Sequence, residues 1–303
     1  MSTLGHLGEF GFIDRLRAIV PDLQSDDDAA VVDHLALTAD ALVEKIHFRT
    51  DWSSPSDIGW KAVSVNVSDL AATGARPRWL LMTVCAPPAT TTEFLDGVYR
   101  GVAEACASYG CALVGGDTVR ADEIVLSVAA IGTLDGPPLR RSGARVGDVV
   151  AVTGPLGRAA CGVNLLLSQD PKKVSPDDAL ACMDAHRRPL ARTDAALHNA
   201  HACIDISDGL ASDARHLADA SGVGIVIDTL PVAVEVERIA AARGWDAEAI
   251  VLSGGEDFEL LYALPASQPH ADLIPVGRVV DGSGVTYKDK PLEARGFDHF
   301  AKR

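Results

Sequence analysis

The sequence predicts an α/β (α+β) protein of two domains, each a mixed sheet covered by helices, on three observations. The chain has 303 residues, long for one domain and comfortable for two, since domains commonly hold about 100–200. Its composition, 48% hydrophobic and 23% charged, is near the soluble globular average and supports a sizeable core. Strand-like and helix-like runs are mixed in both halves, as in helix-covered sheets, and the turn signal Asp135-Gly-Pro-Pro separates them. A boundary near residues 135–146 divides the chain into domains 1–140 and 141–303.

The elements follow in order. Residues 29–32 and 35–38 read as strands joined at Asp33-His34. The capping cluster Ser54-Pro-Ser-Asp57 opens a helix over 54–73, stopped by Gly74 and Pro77, although its centre, Val63-Ser-Val-Asn-Val, alternates as a strand would. A buried strand is expected at 78–85. Leu95, Val98, Val102 and Ala105 share one face of a helix over 92–109 that Gly110 ends. Strands at 111–114 and 123–131 complete the first half. The second half reads as strands at 148–153, 202–206, 223–228, 248–252, 258–264 and 273–280, with helices at 156–168, 178–187, 192–201 and 209–220. Hairpin-like pairs at 29–38 and 278–287 make the sheets mixed or partly antiparallel.

Composition excludes several classes of function. Lys and Arg total 27 against 42 Asp and Glu, a formal net charge of −15, the opposite of a nucleic-acid binder. No stretch approaches the ~20 apolar residues of a membrane span; residues 79–92, uncharged, contain two prolines. Six cysteines without Cys-x-x-Cys spacing read as reduced core thiols, with neither a zinc site nor a disulfide framework. Without a basic start and apolar block at the N-terminus, the expected location is the cytoplasm.

The acidic residues are placed informatively. Asp26-Asp27-Asp28 precede the first strand, Asp40 follows the second, and Asp69 lies three residues after Asn66 on one helix face. Asp117 follows Gly115-Gly116, Asp205 and Asp208 lie in Ile204-Asp-Ile-Ser-Asp-Gly, and Glu256-Asp257 follow Ser253-Gly-Gly. Strand ends and Gly-rich turns are where α/β folds bind ligands. Carboxylates there repel bare phosphate, but suit a Mg²⁺-nucleotide, because Mg²⁺ takes one or two carboxylates plus phosphate oxygens and water. Singly, each has a plainer reading: a solvated turn for Asp26 to Asp28, a surface or capping role for Asp69, a helix N-cap for Ser207, a satisfied histidine for His47, and a surface pair for His198 and His201.

Taken together and in order, these segments resemble the thiamine-monophosphate kinase family of the AIR synthase-like superfamily of ATP-binding enzymes. The stretches that carry the resemblance are Asp27-Asp-Ala-Ala-Val, Thr38-Ala-Asp-Ala-Leu-Val with His47-Phe48, Lys61-Ala-Val-Ser-Val-Asn-Val-Ser-Asp-Leu-Ala-Ala-Thr-Gly-Ala75, Gly115-Gly-Asp-Thr-Val-Arg120 and Arg141-Ser-Gly-Ala. The more specific ones are Ile204-Asp-Ile-Ser-Asp-Gly-Leu210, Ser253-Gly-Gly-Glu-Asp-Phe-Glu-Leu260 and Gly296-Phe-Asp-His-Phe300.

The resemblance implies a two-domain AIR synthase-like fold with the active site between the domains, and a homodimer formed through the N-terminal sheet. It implies direct transfer of the γ-phosphoryl of ATP to the phosphate of thiamine monophosphate. By similarity Asp28, Thr38, Asp40, Asp69, Asp117, Asp205 and Asp208 would hold several Mg²⁺ ions, with Ala39 adding only its carbonyl. Tyr99, Gly116, Asp117, Arg141 and Ser207 would contact ATP, with Asp205, Asp208 and Arg141 serving the transfer itself. His47, Glu256 and Phe297 would face thiamine monophosphate. The chain departs from the family pattern in Gln24-Ser25-Asp26 before the paired aspartates, in Ala39, and in Glu44-Lys45 before His47.

Sister enzymes fit less well. A selenophosphate synthetase needs a reactive Cys or selenocysteine in a Gly-rich N-terminal segment, and the first cysteine here is Cys85; a hydrogenase-maturation relative would end in a reactive cysteine, whereas this chain ends Phe-Ala-Lys-Arg. An aminoimidazole ribotide synthetase would share the acidic loops, and a nucleotide-binding scaffold without chemistry is the alternative from another class.

Overall fold

The computed structural model describes residues 3–168, 170, 173–195, 199–267 and 271–292. Its first half contains α1 (Leu4–Arg17), β1 (Ala30–Val32), β2 (Leu35–Val43), α2 (Pro55–Ala72), β3 (Arg76–Ala86), α3 (Thr92–Tyr109), β4 (Ala112–Arg120) and β5 (Val125–Thr133). The second contains β6 (Val149–Val152), α4 (Arg158–Leu167), α5 (Pro176–Arg187), β7 (Ala202–Asp205), α6 (Leu210–Ser221), β8 (Gly224–Ile227), α7 (Val234–Arg243), α8 (Ala247–Ser253), β9 (Leu260–Leu264), β10 (Ile274–Val280), β11 (Gly284–Tyr287) and β12 (Lys290–Pro291). Two mixed sheets result, ordered β1-β2-β5-β3-β4 and β12-β11-β8-β10-β6-β9-β7.

Helix α2 joins them. Ser54 and Asp57 form a reciprocal capping box and Pro55 opens the helix, which settles the strand-like alternation at its centre in favour of helix. Val63, Val67 and Leu70 are wholly buried in the first core, each contributing about 1.5–3 kcal/mol. Ala71 and Ala72 at its far end pack with Cys203, Leu260 and Tyr262 of the second sheet. A helix covered on nearly every side carries its polar residues, Lys61, Ser64, Asn66 and Ser68, into the interior. All six cysteines are free, and four of them are buried.

The structure corrects three expected elements. Residues 248–252 form part of α8, not a strand: Asp246 caps the backbone N–H groups of Glu248 and Ala249, and a short apolar run is ambiguous by periodicity alone. Among the described residues of 192–201 there is turn and irregular chain instead of helix, with the Ala195 carbonyl accepting from the Tyr262 hydroxyl. Residues 278–287 are not a hairpin, because β11 crosses to pair parallel with β8 while β10 pairs antiparallel with β8 on its other side; Gly282 (φ 119) and Gly284 (φ 79) provide the left-handed backbone for the crossing.

Close packing of α2 on α3 depends on missing side chains. A Cβ on Gly59 would lie 1.9 Å from the Val98 carbonyl oxygen, and one on Gly101 1.8 Å from that of Ser56. Gly101→Ala is expected to lower unfolding free energy by about 1–3 kcal/mol, the usual cost of overpacking, as read by urea denaturation.

Candidate functional site

Asp28 comes from the loop before β1, Asp69 from α2 and Asp205 from the end of β7, and one carboxylate oxygen of each lies within 4.8 Å of the others. Segments distant in sequence thus bring three negative charges together, mostly out of water. Burial, with the Asp27 charge adding to it, holds the Asp28 carboxyl above its ordinary value against the lowering pull of the Arg141 charge and hydrogen bond. Burial followed by Asp40, Asp205 and Asp28 pushes Asp69 well above, and burial followed by Asp28 pushes Asp205 to about 8.

A hydrogen-bonded shell holds the three in place. Arg141 donates through Nε and Nη2 to Asp28 Oδ1 at 3.0 and 2.5 Å, while its backbone N–H and the Arg140 guanidinium hold Asp27 at 2.9 and 2.6 Å. Thr38 donates to Asp69 at 2.6 Å and Ser68 to Asp205 at 2.5 Å. Asn66 accepts from the Asp40 backbone N–H at 2.9 Å, tying the edge of β2 to α2. Thr38 and Asp40 therefore stand beside the trio; Ala39 lies between them on an exposed part of β2, where its methyl offers no ligand.

The loop after β7 is pinned from both sides. The Asp213 carboxylate accepts from the Asp208 and Gly209 backbone N–H groups, each at 3.1 Å, and the Ser207 carbonyl accepts from the Glu256 N–H at 2.8 Å. Ser207 is not the N-cap of α6; Gly209 occupies that position without a side-chain cap, so the plainer reading of Ser207 fails. Asp117 is exposed on β4, outside the trio. With Tyr99 and Gly116 it lines an open cavity of about 490 Å³, and a Cβ on Gly116 would lie 1.9 Å from the Met82 carbonyl oxygen.

His47 and Glu256 meet through Lys61. Its Nζ is 2.9 Å from the His47 carbonyl oxygen and 2.5 Å from Glu256 Oε1, while His186 Nδ1 is 2.6 Å from Glu256 Oε2. Burial alone would raise the Glu256 carboxyl, but the Lys61 charge and the His186 hydrogen bond hold it down at about 2. Phe297 lies outside the described residues. Sequence reasoning passed over Ser68, Asp213, Lys61 and His186. The signal for the α2 pair was a lysine and a serine inside an apolar helix; Asp213 and His186 carried none.

The carboxyl of Asp205 is raised from 3.8 to about 8, so the native chain binds a proton that the unfolded chain has already released between those values. Stability without divalent cation therefore falls as pH rises through this window. Thermal melts in chelator are expected to show that slope, and Asp205→Asn to flatten it.

Known proteins match over the same span. The AIR synthase related protein N-terminal domain matches residues 26–134, and the corresponding C-terminal domain residues 145–289. Thiamine-monophosphate kinase of Aquifex aeolicus is 39% identical over 98% of this chain and 99% of its own, and that of Mycobacterium tuberculosis 38% over 92% and 87%. A solved structure of AaThiL complexed with AMPPCP and TMP superposes with a TM-score of 0.94 at 37% identity, covering 99% of both chains. A hydrogenase maturation protein HypE in complex with ATP shares only the fold, at 19% identity over 96% of this chain and 93% of that one and a TM-score of 0.67. The chain therefore belongs to the AIR synthase related family and, within it, to the thiamine-monophosphate kinases.

Proposed function

We infer that the protein is an ATP-dependent phosphotransferase that converts thiamine monophosphate to thiamine diphosphate, with ADP as the second product. The observation that carries this reading is the gathering of Asp28, Asp69 and Asp205 beside Arg141, in a chain that matches thiamine-monophosphate kinases along its whole length.

The acceptor is a phosphate monoester whose second pKa is about 6, so it is largely dianionic at neutral pH and already nucleophilic. No general base is needed, and the carboxylates are better read as ligands than as proton acceptors. Their chemistry fits Mg²⁺: oxygen donors only, whose pKa values burial raises first and the neighbouring carboxylates raise further, a cost that a hard divalent cation offsets. Asp28, Asp69 and Asp205 would hold it, with Thr38, Asp40, Asp208 and the Ala39 carbonyl alongside and Asp117 at the exposed end. Bound there, Mg²⁺ supplies neutralisation of phosphate charge, which dominates phosphoryl transfer together with alignment.

The chain's own residues then have separate tasks. Arg141 steadies Asp28 and presents a guanidinium toward the nucleotide. Tyr99, Gly116 and Ser207 bind ATP where backbone approaches closely. Glu256 faces the cationic thiazolium or the aminopyrimidine of the acceptor, beside His47; the family resemblance alone assigns Phe297 to the same substrate.

The homodimer is supported by the open face of the first sheet. Rows Trp79–Ile131–Leu37 and Leu81–Ala129–Ala39 run across β3, β5 and β2, with Trp79 and Leu81 41% and 43% exposed, an apolar face larger than scattered surface residues explain. No described helix is long and apolar enough to cross a membrane, and with six free cysteines this supports a cytoplasmic location. A division at 140/141 is supported by the gap between β5, ending at Thr133, and β6, starting at Val149.

ADP release is expected only when thiamine monophosphate, ATP and Mg²⁺ are all present; binding without turnover would overturn the reading. In the same assay Asp205→Asn is expected to raise the half-saturating Mg²⁺ concentration at least about tenfold, since even outer partners of metal ligands are worth that much. Leu81→Glu is expected to halve the mass seen by sedimentation.

A further inference from the structure

Lysine is almost never fully buried unless paired, and Lys61 is 1% exposed. Its ammonium and the imidazole of His186, from α2 and α5, each take one oxygen of the Glu256 carboxylate, at 2.5 and 2.6 Å. Facing a carboxylate, Nδ1 of His186 carries the proton, so the 3.3 Å between Lys61 Nζ and His186 Nδ1 separates two donors that share an acceptor. The side chains of Lys61 and His186 are 2% and 5% exposed, that of Glu256 26%. The carboxylate is thus the part of the cluster that solvent reaches, with both partners behind it.

Stability does not account for this arrangement. Replacing a buried ion pair with apolar packing is often neutral or stabilising, and Glu256 also has a left-handed φ of 69°, a strained conformation for a non-glycine residue. Beside the same cluster, Trp52 presents its ring edge to His186 at 6.3 Å between centroids. Nε1 of Trp52 and Nε2 of His186 are buried without a hydrogen-bond partner among the described residues. Strain, a desolvated charge and orphaned polar atoms in one place are the marks of a site shaped for a ligand.

We propose that Lys61 and His186 are positioning residues for the acceptor: each holds one oxygen of Glu256, fixing the carboxylate in one orientation so that it selects a cationic heteroaromatic phosphate over a neutral one. This deepens the kinase reading above and rests on its placement of Glu256.

The test uses the isosteres of histidine. Asn sets an amide nitrogen where Nδ1 stands; Gln sets it where Nε2 stands. With ATP saturating, His186→Gln is expected to raise KM for thiamine monophosphate about tenfold or more, the loss of one charge-assisted hydrogen bond. His186→Asn should stay within about threefold of wild type, having kept that donor, and KM for ATP should move less than about twofold in both. In a Glu256→Gln background the gap between the two His186 variants should close, because residues that act through one another are not additive. Equal KM values for the two variants, a parallel rise in KM for ATP, or full additivity with Glu256→Gln would overturn the proposal while leaving the kinase reading intact. A wild-type protein without turnover of thiamine monophosphate would overturn both.

Discussion

Mutual repulsion among Asp28, Asp69 and Asp205 is the constraint on which the rest of the structure depends. Within 4.8 Å and largely removed from solvent, three carboxylates cannot all ionise without a counter-charge. Arg141 is engaged with Asp28 and offsets Asp205 only in part; burial first, and the neighbouring carboxylates after it, keep Asp69 and Asp205 raised. A fold that accepts this cost in its resting state must be organised so that something else cancels it during function.

That organisation is built on α2. A helix with an ordinary polar face could not deliver side chains to both sheets, because its solvent side would point away from one of them. Here the apolar residues Val63, Val67 and Leu70 pack in the first core, the C-terminal alanines pack against the second, and the remaining positions carry Lys61, Asn66, Ser68 and Asp69 inward. Asn66 fixes β2 and Ser68 fixes β7 through single hydrogen bonds. The helix therefore sets the spacing between the halves and the spacing of the carboxylates by the same contacts, so a shift of one domain against the other disturbs the charge cluster directly.

Much of this was legible because it depends on local chemistry. The capping cluster at Ser54, the stop at Gly110 and the short strands joined at Asp33-His34 each declare an element within a few residues, and the structure returns α2, α3 and β2 accordingly. The acidic residues at strand ends were legible as a pattern, but their convergence is a property of tertiary packing that spacing does not encode. The same limit hid His186: it lies at the end of a helix with no neighbouring motif, and its role exists only because α5 packs beside the Glu256 loop. The reversal at 248–252 shows the converse, since one aspartate cap outweighs an apolar run with strand-like composition.

Two groups of the same chemical type now stand in opposite environments a short distance from one backbone hydrogen bond, Glu256 N–H to Ser207 carbonyl. Asp205 is pushed up to about 8 and Glu256 is held down at about 2. Burial acts on both in the same direction, so the difference comes from the partners: Glu256 has a lysine of its own, and Asp205 has other carboxylates. In the proposed function the aspartates would be completed by a cation that comes with the nucleotide, whereas the glutamate is charged before any ligand comes. A divalent ion gains more at the first site, where it relieves repulsion, than at the second, where it would have to displace Lys61. In the same reading an organic cation would be drawn to the second, whose carboxylate is already charged. Opposed pKa shifts of this kind assign separate roles to like residues, and in the proposed function they give metal-bound phosphate to the aspartates and a charged ring to the glutamate.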